Sequence, residues 1–342
     1  MLWDDQLSVA SGLGYKDNVL LAPAHPHGSA FFVNGLDGMV MRLPLDGWLV
    51  EGSIVGEDRR YWHAAGLLPS EDSFQGTLRL ECALPDGWQA GLEANGSYEK
   101  QMQDVPIYGT VGPILVEGFG IKTQPWVRKN LSSDWWLKLE LPVTRWVMYA
   151  PLDDNWDFGP GLTLGHDFGH LSEITLSYSA TDELHDEWQA AANPNASDFL
   201  PQKLNIFKNQ AELAWRQSWD AHQRWRSSTR LIFADLEDNG DGFFNEYQYR
   251  VVQDLRWQTT DWLIKASADL TYEDYPVEWM GMANGQTLYR DLWNLSGRVE
   301  RRVYKGLKAY AELEYQRAMA NYVNNAEDYH ATTVSAGLSW EF

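Results

Sequence analysis

Along much of this chain, apolar and polar residues alternate at every second position. From His330 to the end, Thr332, Val334, Ala336, Leu338, Trp340 and Phe342 fall on one face, and Ala331, Thr333, Ser335, Gly337, Ser339 and Glu341 on the other. Successive side chains of a strand point to opposite sides, so this stretch predicts a strand with one apolar, aromatic-capped side and one small, polar side. The same pattern sets Trp262, Ile264, Ala266, Ala268, Leu270 and Tyr272 against Lys265, Ser267, Asp269 and Thr271, and Leu307, Ala309, Ala311, Leu313 and Tyr315 against Lys308, Glu312, Glu314 and Gln316. Nowhere is there an apolar run of about eighteen residues, which excludes transmembrane helices.

Two kinds of connection separate the strands. Pro44-Leu45-Asp46-Gly47 and Pro85-Asp86-Gly87-Trp88 are Asp-Gly hairpin turns, and short turns recur near Ser132-Ser133-Asp134, His166 to His170, Trp219-Asp220-Ala221, Thr259-Thr260-Asp261 and Tyr304-Lys305-Gly306. Between them lie longer connections: Glu57 to Asp72, Glu99 to Pro113, Ala180 to Gln202, Asp235 to Asn245, Glu273 to Gly285 and Arg317 to Asp328, with a short one at Pro151 to Asn155. Alternating short turns and long loops are the signature of a membrane barrel, and Trp48, Trp88, Trp135, Trp219, Trp225, Trp257, Trp262 and Trp340 beside the short turns read as an interfacial girdle. The expectation is an all-β, antiparallel, up-and-down transmembrane β-barrel of about sixteen strands, one domain over residues 1–342, with both termini periplasmic. A soluble propeller or sandwich also has many short strands, but it accounts for neither the alternating connections nor the unprotected edges so long a sheet would have.

Composition changes the picture in three places. The net charge of −21 argues against a nucleic-acid partner, which needs a basic patch, and suits a carboxylate-rich outer surface among membrane lipids and lipopolysaccharide. The single Cys82 cannot form an intramolecular disulfide. Met1 to Asp5 has neither the basic start nor the apolar core of a signal peptide, so the chain is expected to be a mature protein or the barrel part of a longer polypeptide.

Candidate chemistry lies on the polar faces. Arg216, Arg226, Arg230, Arg250, Arg256, Lys265, Arg290 and Arg298 fall on the lumen side of the tenth to fourteenth strands, and Glu312 and Glu314 on that of the next. Charges inside a barrel of this size need water or partners. One reading is an arginine-rich wall that contacts a polar solute; the other is a set of cross-strand pairs that only maintain a polar interior. No nucleophile elbow, phosphate loop or cysteine cluster points to an enzyme. The segment from Glu237 to Asn245 resembles the calcium loop of EF-hand and dockerin modules, with Glu237, Asn239 and Asp241 as weak candidate ligands. Glu237 replaces the usual first Asp, and an acidic Gly-rich hairpin loop is the competing identity.

Both ends carry a resemblance. Ser335, Gly337, Trp340 and Phe342 resemble the C-terminal signal of bacterial outer-membrane β-barrels, which implies recognition by the barrel-assembly machinery. Gly14-Tyr15-Lys16-Asp17-Asn18-Val19 resembles the entry motif of outer-membrane barrels of exopolysaccharide operons, polysaccharide-export porins and barrels that deliver surface lipoproteins; Lys16 stands where those families place an acidic residue. The resemblance implies a porin-like pore for polar or charged solutes, an exported polysaccharide among them, without a cofactor. The alternative it implies is a non-conducting barrel that anchors or assembles a surface or periplasmic partner.

Overall fold

The structure, a computed structural model, describes residues 3–342 apart from 45, 65–67, 108–109, 194–196, 280–285 and 322–327. Parts of five expected long connections therefore lie outside the described residues. Eighteen strand segments form one antiparallel sheet that closes on itself. Four of the segments are halves of two interrupted strands. Trp135–Glu140 and Val143–Met148 both pair with Thr110–Asn130, while Asn155–Phe158 and Gly161–Gly169 both pair with Ser172–Ala191. Counting each pair once gives the sixteen-stranded barrel that the alternation predicts.

The interruptions follow from proline. Pro142 and Pro160 have no N–H to donate, so the ladder breaks at each. Carbonyls hold the gap together: Pro125 O accepts from Leu141 N at 3.0 Å, and Pro160 O accepts from Ala180 N at 3.1 Å.

Closure joins the first and last strands. Trp3–Lys16 pairs with Ser29–Arg42 on one side and Tyr329–Glu341 on the other, from Ser8 opposite Glu341 to Lys16 opposite Thr333. A closed sheet leaves no edge with unpaired backbone groups, the condition for crossing lipid with strands. The seam is made of small residues. A Cβ on Gly337 would lie 2.2 Å from Ser11 O and 2.8 Å from Tyr310 Oη, and one on Gly12 would lie 2.4 Å from the same hydroxyl.

The outer face is apolar. Leu7, Leu78, Leu176, Leu213, Val251, Leu313 and Leu338 are among the exposed side chains that cover it. Trp48, Trp88, Trp135, Trp219, Trp225, Trp262 and Trp340 are exposed beside the short turns, forming the expected girdle. A second girdle stands nearer the long-loop end, where Phe233, Tyr249, Tyr272 and Tyr289 run across four neighbouring strands with ring centroids 5.2, 6.2 and 6.0 Å apart. From Trp262 to Tyr272 the strand rises ~33 Å, or about 25 Å along the membrane normal at a tilt of about 40°, which matches the apolar band of outer-membrane barrels.

The connections differ from expectation at the long-loop end. The segment expected as a loop from Glu99 to Pro113 continues as strand, with pairing from Glu99 opposite Gly118 out to Ile107 opposite Thr110. Strands likewise run to Ala191 and restart at Phe199, and run to Trp279 before restarting at Thr287. These hairpins project past the second girdle into water. There both faces of a strand can be polar, and the alternation that marks a membrane-facing strand disappears.

Candidate functional site

The expected lumen faces point inward, because a closed sheet with lipid on one side puts every second residue inside. They surround a cavity of about 1590 Å³ that runs from Arg302 and Lys308 near the short turns to Lys16 and Glu71 near the long loops, and Arg216, Arg226, Arg256, Lys265, Arg298, Glu312 and Glu314 border it. Seven of the ten charged residues expected to contact a solute therefore share one space. Arg230 also sits on a lumen face but does not border this cavity, and Arg250 is tied to Asp269, its Nε donating at 2.8 Å. Arg290 is only 2% exposed and pairs with Glu273 at 3.1 Å, so it is placed as a structural cation.

Of the two readings of the arginines, each describes part of the wall. Arg250, Arg290 and Arg298 are paired, the last donating from Nε to Glu300 at 2.7 Å and from Nη1 to Glu312 at 3.1 Å. Arg216, Arg226, Arg230, Arg256 and Lys265 make no ion pair among the described residues. Arg226 donates only to Gln223 Oε1 at 2.8 Å, and Arg256 only to Gln258 Oε1 at 2.6 Å.

On the other side of the cavity, charge is neutralised. Arg59 donates from Nη1 and Nη2 to the two carboxylate oxygens of Glu314 at 3.0 and 2.7 Å, and from Nε to Glu57. Bidentate pairs of this kind are the strong ones. Arg59 lies on Trp48–Tyr61 and Glu314 on Leu307–Ala320, so the pair reaches across the intervening strands inside the barrel. Sequence reasoning did not single out Arg59. Nothing local in the sequence relates it to Glu314, 255 positions away.

The opening motif has a structural task at the long-loop end. Lys16 is 4% exposed, turns inward and pairs with Glu71 Oε1 at 2.9 Å, while Tyr61 donates its hydroxyl to Glu71 Oε2 at 2.6 Å. The basic residue that departs from the resembled motif thus has a buried carboxylate waiting for it. Asp17 accepts Thr332 N at 2.7 Å, and Asn18 donates to Ala22 O and His330 O, both at 3.0 Å. Together these bonds latch the first loop to the last strand. Latching buries Val19 against Phe31, Val33, Tyr61 and Leu68, and Leu21 against Ala318, Tyr329 and Ala331. Met102 and Leu115 of the extended hairpin pack on the same loop.

A second apolar cluster lies at the other side of this end, where Ala191, Leu204, Ile206, Phe243 and Phe244 pack with Trp188. Phe243 and Phe244 come from the calcium-like loop. There Asp238, rather than the candidate ligands, organises the backbone: its carboxylate accepts from the amides of Gly240, Gly242 and Phe244 at 2.8, 3.0 and 2.8 Å. Asn239 bonds to Asn205 N and Lys203 O, which commits its amide to the neighbouring strand. Among the described residues no three potential metal-binding side chains converge.

Gly337, Trp340 and Phe342 of the closing motif end the last strand. Trp340 is exposed on the lipid side, Phe342 lies beside it with ring centroids 6.4 Å apart, and Phe342 N donates to Leu7 O at 2.9 Å.

No protein-family model and no curated protein matches the chain. Solved structures of similar shape are outer-membrane proteins. A bacterial polysaccharide outer-membrane secretin aligns at 12% identity and a TM-score of 0.44 over 99% of this chain and 98% of that one. OccAB1 of Acinetobacter baumannii aligns at 8% and 0.49 over 99% and 97%, and OmpT of Vibrio cholerae at 10% and 0.47 over 99% and 97%. The assignment as an outer-membrane β-barrel rests on the closed sixteen-stranded sheet, its apolar outer band and its two aromatic girdles.

Proposed function

We propose that this barrel is an outer-membrane pore that passes polar or charged solutes, an exported polysaccharide among them, along an arginine-rich wall. The observation that carries the reading is the 1590 Å³ polar cavity bordered by Arg216, Arg226, Arg256 and Lys265, which no carboxylate neutralises among the described residues. Charges in a lumen set which solutes enter a pore and how they are oriented. The short-turn end and both termini face the periplasm in this reading, and Gly337, Trp340 and Phe342 are the signal read during assembly. Transport needs no covalent step, and the chain acts as a conduit rather than an enzyme.

One observation favours a second reading, a non-conducting barrel that anchors or assembles a surface or periplasmic partner. Val19, Leu21 and Leu68 are almost fully buried at the long-loop end, where the latched first loop packs inward. Proteoliposome swelling separates the two. A pore gives swelling with small sugars that slows as oligosaccharide length grows, whereas an anchor gives none with any of them.

A further inference from the structure

We infer that the lumen carries a discrete site for an oligoanion, a solute bearing several negative groups a few ångströms apart, at the short-turn end of the arginine-rich wall. It rests on the pore reading above for its water-filled lumen. The strand register sets four cations side by side: Arg226 stands opposite Arg256, Arg256 opposite Lys265, and Lys265 opposite Arg298. Directly opposed side chains lie about 5 Å apart, and the row covers three strand spacings, or about 14 Å of the barrel wall.

Like charges directly opposite one another destabilise a sheet. This chain has 48 acidic residues against 27 basic ones, so carboxylates are plentiful enough to separate them. Among the described residues none does so until the end of the row, where Arg298 meets Glu300 and Glu312. Asp254, two residues from Arg256 on the same face, accepts the Ser267 hydroxyl at 2.7 Å. Arg226 and Arg256 are held by neutral amides, which fix a guanidinium without cancelling its charge. Lys265 has no hydrogen-bond or ion-pair partner among the described residues. All four border the cavity, with Arg216 and Arg302 beside them.

An arc across strands differs from a column along the axis: it surrounds one multivalent group at one depth. Arg226 and Arg256 adjoin Trp225 and Trp257, a ring pair of the short-turn girdle 5.9 Å apart. The arc is therefore met first by a solute entering from the short-turn side. With that side in the periplasm, it captures oligoanions on their way outward. Phosphate groups and sugar carboxylates both satisfy it, because what it offers is positive charge at strand spacing.

The test is calorimetric titration of the intact barrel in detergent with tripolyphosphate and with tetragalacturonate, using acetate and neutral maltotetraose as controls, followed by sided addition in planar bilayers. Saturable binding of either oligoanion is expected, weakened by salt, absent for maltotetraose, and weakened about tenfold or more by joint Arg226→Gln, Arg256→Gln and Lys265→Gln changes. Block of ion current should need less oligoanion on the short-turn side. Binding of one probe alone assigns phosphate or carboxylate as the source. Absence of saturable binding by both, or binding unchanged in the variant, overturns the site. A barrel that binds without conducting retains the site and loses the pore reading; one that conducts without binding does the reverse. If the triple variant does not fold, Lys265→Gln alone serves, since it relieves repulsion.

Discussion

Replacing Lys265 with Gln should make the barrel more stable and less anion-selective at once. Lys265 stands directly opposite Arg256 and Arg298, and its side chain is exposed in the lumen. Two unit charges ~5 Å apart repel by about 0.8 kcal/mol in water. Screening at about 0.1 M salt, with a Debye length of ~10 Å, leaves roughly 0.5 kcal/mol. Arg298 is offset by Glu300 and Glu312, so Arg256 supplies most of the repulsion. Lys265→Gln is therefore expected to stabilise by about 0.5 to 1 kcal/mol at low ionic strength, falling to a few tenths near 1 M salt, where the Debye length is ~3 Å. Guanidinium chloride is itself a salt, so the assay is urea unfolding in lipid vesicles at two ionic strengths, read by tryptophan fluorescence. The same variant should move the reversal potential under a salt gradient toward cation selectivity. A loss of stability at low salt, or a stability change indifferent to salt, would refute the electrostatic reading of the row.

Glu71→Ala leaves the buried Lys16 without its carboxylate, a change that typically costs about 3–5 kcal/mol. The first loop should become cleavable by added protease, and a loop as protected as in the parent would contradict its latching role. Gly337→Ala should prevent the seam from closing, because a Cβ there meets the backbone oxygen of Ser11 at 2.2 Å, whereas Gly96→Ala, with nothing within 4 Å, should be tolerated. Heat-modifiable migration on gels reads both, and equal yields of folded barrel would count against the seam geometry. In the turn after the second strand, the hydrogen-bonded Arg42 guanidinium holds the Asp46 carboxyl down to about 2 from its ordinary 3.8. Because the folded value is the lower one, the pair's contribution is present above about pH 4 and is lost as pH falls through about 2. A carboxyl shift titration with its midpoint near 3.8 would contradict the pair.

The alternation within the membrane band was readable because lipid on one side and water on the other impose a period of two. Hence the strands, the tryptophan girdle and the Asp-Gly turns follow from the sequence, with Asp86 and Gly87 both at positive φ in the turn. Beyond the band that contrast vanishes, which is why the Glu99 to Pro113 hairpin reads as loop. The lumen faces of Arg216, Arg226, Arg256 and Lys265 were legible for the same reason, but which of them stand opposite one another depends on register and stagger. Register is set by many turns together, not by any one segment. Contacts such as Arg59 with Glu314, or Lys16 with Glu71, join strands that only closure brings near. The tyrosines of the second girdle lie in the sequence one or two to a strand, and become a belt only when four strands are aligned.

Whether the charged lumen is an open path is tested most directly by single-channel conductance of the purified protein in planar bilayers, with the reversal potential measured across a salt gradient. Stable current steps with a preference for anions, reduced when Arg226, Arg256 and Lys265 are neutralised together, are the predicted result. A barrel that inserts and stays silent at every voltage, or that conducts with a cation preference unaffected by those substitutions, would contradict it.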